Sequence, residues 1–242
     1  MLIRINPARM INSQFYTAIS QPRFLKYYTA CGNSRRTALK LYRANIALSQ
    51  KMYAIIGVFE VILRNSIDRH FVLLKGNSWL EDAVQPCGYF DISIGCEDSY
   101  HSIQESIHKL GLEYTHDKLI TKLSFGFWAY LFSKKQYAAA GSTLLEIFTN
   151  RPFGTNQKTV FRNLIKINDI RNRIAHYEPI CFDKDTGAIS TTYVSSRYNL
   201  VVELLHWLGC NPGRILYGID NVKKGIIAVN TISREPGSAI YR

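Results

Sequence analysis

Arg171, Asn172 and His176 are the residues in this chain whose types and spacing best suit a chemical step. On a helix turning about 100° per residue, with Arg171 as zero, Asn172 falls near 100° and His176 near 140°. Ile167, Ile170 and Ile174 fall near −40°, −100° and −60°, so one flank of the helix packs while the other presents a guanidinium, an amide and an imidazole. These groups suit RNA cleavage by the ribose 2′-hydroxyl: a proton leaves, negative charge builds on the phosphoryl oxygens, and the 5′-oxygen departs. An imidazole moves protons near neutral pH, a guanidinium grips phosphoryl oxygens through paired hydrogen bonds, and an amide orients either group. The C-terminal end of a helix also favours a protonated imidazole, which suits a general acid. A capping role for Arg and His at a helix end is the alternative reading of the same residues.

The charge distribution agrees with a polyanionic partner. Thirty Lys and Arg against 18 Asp and Glu give +12. Residues 1–80 hold twelve basic and two acidic side chains, residues 81–120 two and eight, and residues 121–242 sixteen and eight. Two basic segments flank an acidic one, a field that attracts RNA, DNA or anionic lipid, unless it serves solubility alone. The longest apolar run, Met52 to Phe59, is far short of the roughly 20 residues of a membrane span. Met1 to Tyr16 shows no secretory pattern, so a cytoplasmic protein without a membrane is expected. Five scattered cysteines lack the close pairs of a zinc site and are expected as reduced thiols.

The elements that must position these residues are helical. Leu41, Ile46, Leu48, Met52, Ile55, Ile56, Phe59, Leu63 and Ile67 recur at helical intervals between Thr37 and Leu74, which predicts one long helix or two in succession, ended by Gly76-Asn77-Ser78. An irregular acidic connection is expected over about 81–99. Further helices are expected over Ser99–Leu110, Lys118–Phe132, Ala138–Phe148, Gln157–Tyr177 (stopped by Pro179) and Ser196–Leu208. Asp185-Thr186-Gly187 marks the turn of a small hairpin. No linker divides the chain, so a single all-α domain is expected. It would comprise an N-terminal helical part (about 15–80), the acidic connection, a C-terminal part with the Arg171 helix (about 100–212) and a tail (213–242).

Four segments, in order, resemble the Abi-like proteins of the HEPN superfamily. They are Ala18-Ile19-Ser20-Gln21-Pro22-Arg23 with Leu41-Tyr42-Arg43-Ala44-Asn45; Phe59-Glu60-Val61-Ile62-Leu63-Arg64-Asn65; Leu123-Ser124-Phe125-Gly126-Phe127-Trp128; and Ile170 through Ile180. The chain departs from the family pattern at Ala44, where Trp is common, and at Tyr177, where a second His or another aromatic is common. The resemblance implies a HEPN helical bundle with additional helices, and a homodimer whose two Arg171 helices face one another across a composite nuclease cleft. It implies Arg171 and His176 as the catalytic pair beside Asn172, with no metal and no cofactor. Glu60, Arg64, Asn65 and Arg173 would support substrate, Glu60 positioning Arg64. The activity it implies is a metal-independent endoribonuclease, a toxin-like effector of abortive infection against phage, restrained by a protein or RNA antitoxin. A non-catalytic RNA-binding module is the alternative.

Other candidates read differently. Glu60, Arg64 and Asp68 could form an intrahelical salt-bridge series. Arg64, Asn65 and His70 repeat the Arg-Asn…His pattern with one residue more, and His70 is treated as a decoy. His101, Glu105 and His108 share a helical face that could touch a metal but fits a solvated face better. Phe125, Phe127 and Trp128 could stack on bases but fit a core better.

Overall fold

The computed structural model describes residues 18–235. It is all-α: α1 (Gln21–Ala30), α2 (Arg35–Lys75), α3 (Trp79–Val84), α4 (Glu97–Leu110), α5 (His116–Lys122), α6 (Phe125–Tyr130), α7 (Lys134–Ala139), α8 (Gln157–Ala175), α9 (Thr192–Trp207), α10 (Pro212–Ile215) and α11 (Val222–Ser233). Short 3-10 turns cover Gly111–Glu113 and Leu144–Ile147. The sequence reading of Met1–Tyr16 lies outside the described residues.

The chain divides into two compact units, each discontinuous in sequence. Of the described residues, the first takes 18–52, 173–196 and 221–235; the second takes 53–172 and 197–220. In the first unit, Tyr27 sets its ring edge-on to Tyr42 at 5.2 Å and to Phe182 at 5.1 Å. Lys26 lies over the Phe182 ring at 4.9 Å. Gly225 of α11 sits where a Cβ would come within 2.9 Å of Leu48 Cδ1, so a larger residue there would have to push the end of the Leu48 side chain aside. The expected hairpin is reduced to a single antiparallel bridge, Phe182 with Ile189, whose turn is held by Asp183 accepting from Thr186 N at 2.9 Å.

In the second unit, Phe59, Leu63, Ile67 and Phe71 of α2 are fully buried together with Trp79, Phe125, Trp128, Phe132 and Phe148. Phe71 meets Trp79 at 4.6 Å and Phe132 meets Phe148 at 5.6 Å, spacings at which aromatic pairs add to plain area burial. The long α2 is apolar and long enough to cross a membrane by length and composition. Here its apolar stripe from Leu41 to Phe71 is buried in protein. All five cysteines are free thiols.

Three expected boundaries need correction. The single helix over Lys118–Phe132 is two: α5 ends at Lys122, and Ser124 restarts the chain by accepting from Phe127 N at 3.3 Å, capping α6. The helix over Ala138–Phe148 ends at Ala139, because Gly141 (φ +105°) and Ser142 (φ +60°) turn the backbone into the left-handed region. The acidic connection begins with a regular helix, α3, whose Trp79, Leu80, Ala83 and Val84 are buried.

Candidate active site at the end of α8

The helix that carries Arg171 starts where Asn156 Oδ1 accepts from Thr159 N at 3.0 Å, an N-cap that satisfies an otherwise orphaned backbone donor. Val160, Leu164, Ile167, Ile170 and Ile174 recur every three or four residues and are buried, which leaves Asn172 and His176 exposed and Arg171 half-buried. The helix stops at Ala175, two residues before the expected end, and the stop is not made by Pro179. Tyr177 adopts φ +56°, its N–H donates to Ile174 O at 2.9 Å, and Glu178 N donates to Arg173 O at 2.8 Å. This is a Schellman closure with a tyrosine in the position usually held by glycine, and it makes His176 the C-cap.

Arg173 ties down the chain beyond. Its Nη2 donates to Pro179 O at 2.7 Å, its Nε lies 3.5 Å from Glu178 Oε2, and its guanidinium stacks over Tyr193 at 5.2 Å. Its donors hold the chain that leaves α8. The following segment is buried, and Asn45 Oδ1, itself 4% exposed, accepts from Ile180 N at 2.9 Å.

Arg171 is far less engaged. Nη1 reaches Asn172 Oδ1 at 3.4 Å, a weak bond, and Nε is buried with no hydrogen-bond partner. The charge nearest in effect is Glu60 on α2. Burial raises the Glu60 pKa above the ordinary glutamate range, while Arg171 and then Arg64 pull it back down. Among the described residues Glu60 makes no direct salt bridge, and Arg64 Nε donates instead to Asn65 Oδ1 at 3.3 Å. The second unit thus gathers Glu60, Arg64, Asn65, Arg171 and Asn172: two guanidiniums around one carboxyl that holds its proton more readily than usual. Such a set can grip the oxygens of a phosphate without a fixed counter-charge to displace.

The salt-bridge series is not extended to Asp68. Its Oδ1 accepts from Trp79 Nε1 at 2.9 Å and lies 2.7 Å from His116 Nε2, beside a cleft of about 530 Å³ that Asp68, Arg69, Leu73 and Asn77 help to line. No sequence signal announced this group, since Asp68 and His116 stand 48 positions apart. His70 pairs with Thr143 Oγ1 at 2.9 Å, and burial lowers its pKa, as suits a packed structural histidine. His101, Glu105 and His108 are exposed, Glu105 pairing with Lys109 at 2.9 Å. Among the described residues no cluster of three His, Cys, Asp or Glu could hold a metal ion. Phe125, Phe127 and Trp128 are buried in the core rather than offered to bases. Comparison with protein-family models, curated proteins and solved structures finds no match.

Proposed function

We propose that this chain is an endoribonuclease of the Abi-like, HEPN type, acting on RNA through the C-terminal end of α8. The observation that carries the reading is the state of Arg171: half-buried, with a buried Nε that has no hydrogen-bond partner among the described residues, on the helix whose next residues place an exposed imidazole at the cap. In the reaction the ribose 2′-oxygen bonds to phosphorus as its proton passes to a base, and the bond from phosphorus to the 5′-oxygen breaks. Arg171 holds the phosphoryl oxygens as charge develops, His176 delivers a proton to the departing 5′-oxygen, and Asn172 steadies the guanidinium. Glu60 orients Arg171, and the net charge of +12 draws the polyanion in. No step in this scheme calls for a metal. A second copy supplying a second α8 end, as the sequence resemblance implies, would complete the cleft. The role in abortive infection and restraint by an antitoxin belong to the same proposal, on the resemblance alone.

The test is recombinant protein with RNA in the presence of EDTA. Wild type should produce fragments ending in 2′,3′-cyclic phosphate and 5′-hydroxyl, and Arg171→Ala and His176→Ala should each abolish them. Cleavage that survives in both variants refutes the assignment. Salt-sensitive RNA binding with no cleavage by wild type would favour a non-catalytic RNA-binding module.

A further inference from the structure

Among the described residues, nothing covers the middle of one sector of α2 in the second unit. With Gly57 as zero and about 100° per residue, Tyr53, Ala54, Glu60, Val61 and Arg64 all fall within about 60° of it. Tyr53 and Val61 are each 43% exposed, Ala54 is exposed, and a Cβ built on Gly57 would meet nothing within 4 Å. Tyr53 and Val61 stand two turns apart, about 12 Å along the axis, with no side chain between them at position 57. Subtracting the half-thickness of both side chains leaves about 8 Å, ample for a base, given stacked bases about 3.4 Å apart. The slot has an aromatic wall and a bare floor. Its C-terminal margin holds Glu60 and Arg64, and Arg171 acts on Glu60 from α8.

We infer that this slot takes one unpaired base of an RNA strand, stacked on Tyr53, while Arg64 and Arg171 hold nearby phosphates of the same strand. The inference rests on reading Arg171 as a phosphate-gripping group. A nucleic acid fits the sector better than a second protein surface does. Two half-exposed apolar side chains fall far short of the roughly 800 Å² per partner of a stable protein interface, and guanidiniums border the patch. An exposed aromatic beside cationic groups is the usual platform for single strands, because every base has a face to stack.

The experiment measures binding of a short single-stranded 2′-O-methyl oligonucleotide of mixed sequence by fluorescence anisotropy, over a range of salt concentrations. This probe lacks the 2′-hydroxyl and cannot be cleaved, so binding is read whether or not the chain is a nuclease. Tyr53→Ala should weaken binding about tenfold, with Tyr53→Phe and Tyr53→Trp close to wild type and Tyr53→Leu as weak as the alanine variant. Gly57→Leu fills the slot from an open position, keeps its helical circular dichroism, and should lose a similar factor. The slope of affinity against salt should be unchanged in Tyr53→Ala, whereas Arg64→Ala should lower it by about one. The slot is refuted if wild type fails to bind at low salt, if Tyr53→Ala or Tyr53→Leu binds like wild type, or if Gly57→Leu does. It is also refuted if these substitutions change the molecular mass by light scattering, which would assign the sector to a contact between copies. Cleavage lost with binding intact would sink the ribonuclease reading alone; cleavage present with Tyr53 variants unaffected would sink the slot alone.

Discussion

Replacing Asn45 with alanine should destabilise the protein by about 2 kcal/mol, and the reason lies in one hydrogen bond. Asn45 is 4% exposed, and its Oδ1 accepts from Ile180 N at 2.9 Å, at the start of the stretch Ile180, Cys181 and Phe182, all at or below 2% exposure. Removing the acceptor strands a buried backbone N–H where water cannot reach it. The cost is that of desolvating the donor, about 1–3 kcal/mol, rather than the smaller net worth of an average hydrogen bond. For a chain of this size, a loss of about 2 kcal/mol corresponds to roughly 4–8 °C in Tm. Urea denaturation followed by circular dichroism gives the free energy, and a thermal scan gives the shift. Asn45→Leu separates the hydrogen bond from the volume: it refills the space and leaves the donor stranded, so it should be about as unstable as the alanine variant. If leucine restores wild-type stability, or if alanine costs less than about 0.5 kcal/mol, the bond to Ile180 is not what holds this segment.

Glu60→Gln should alter the pH dependence of stability in a defined direction. Because burial raises the folded-state pKa of Glu60, the native state binds more protons than the unfolded one, and wild-type stability falls as pH rises from the ordinary glutamate range through the raised value. The glutamine variant should lack that fall and be the more stable protein at neutral pH; denaturation curves from pH 4 upward that superimpose for the two proteins would contradict it. Tyr177→Gly should stabilise by about 0.5–1 kcal/mol, since Tyr177 holds φ +56° while 78% exposed and so relieves strain with little packing lost. A lower Tm for this variant would show that the tyrosine ring makes a contribution its exposure does not suggest.

The parts of this fold that could be read from the sequence are those whose apolar spacing belongs to one face. Leu41 to Phe71 keep a single stripe over about eight turns, so α2 was legible as a long helix, and the isoleucines of α8 likewise fixed which side Arg171, Asn172 and His176 would occupy. The region from Leu119 to Phe148 was harder because its side chains are buried on several sides. Its hydrophobic pattern runs on across the break at Leu123-Ser124, and only the capping hydroxyl of Ser124 distinguishes two helices from one. Helix α3 was hidden for a related reason: six residues are too few to show a period. At the candidate site the individual residues were legible and their partnerships were not. Spacing paired Arg64 with Glu60 and with Asp68, whereas the folded chain makes Arg171 the larger influence on Glu60 and gives Asp68 to Trp79 and His116. Arg173 looked like one more cation for substrate, and its tether to the Pro179 carbonyl is visible only in three dimensions.

The way α8 ends has a practical bearing on every experiment at His176. The closing hydrogen bonds run from the backbone N–H groups of Tyr177 and Glu178 to the carbonyls of Ile174 and Arg173, so the imidazole takes no part in terminating the helix. A variant at this position should keep its secondary structure and melting behaviour, whatever replaces the ring. Whatever such a variant ceases to do can therefore be charged to the lost side chain itself and not to a damaged scaffold.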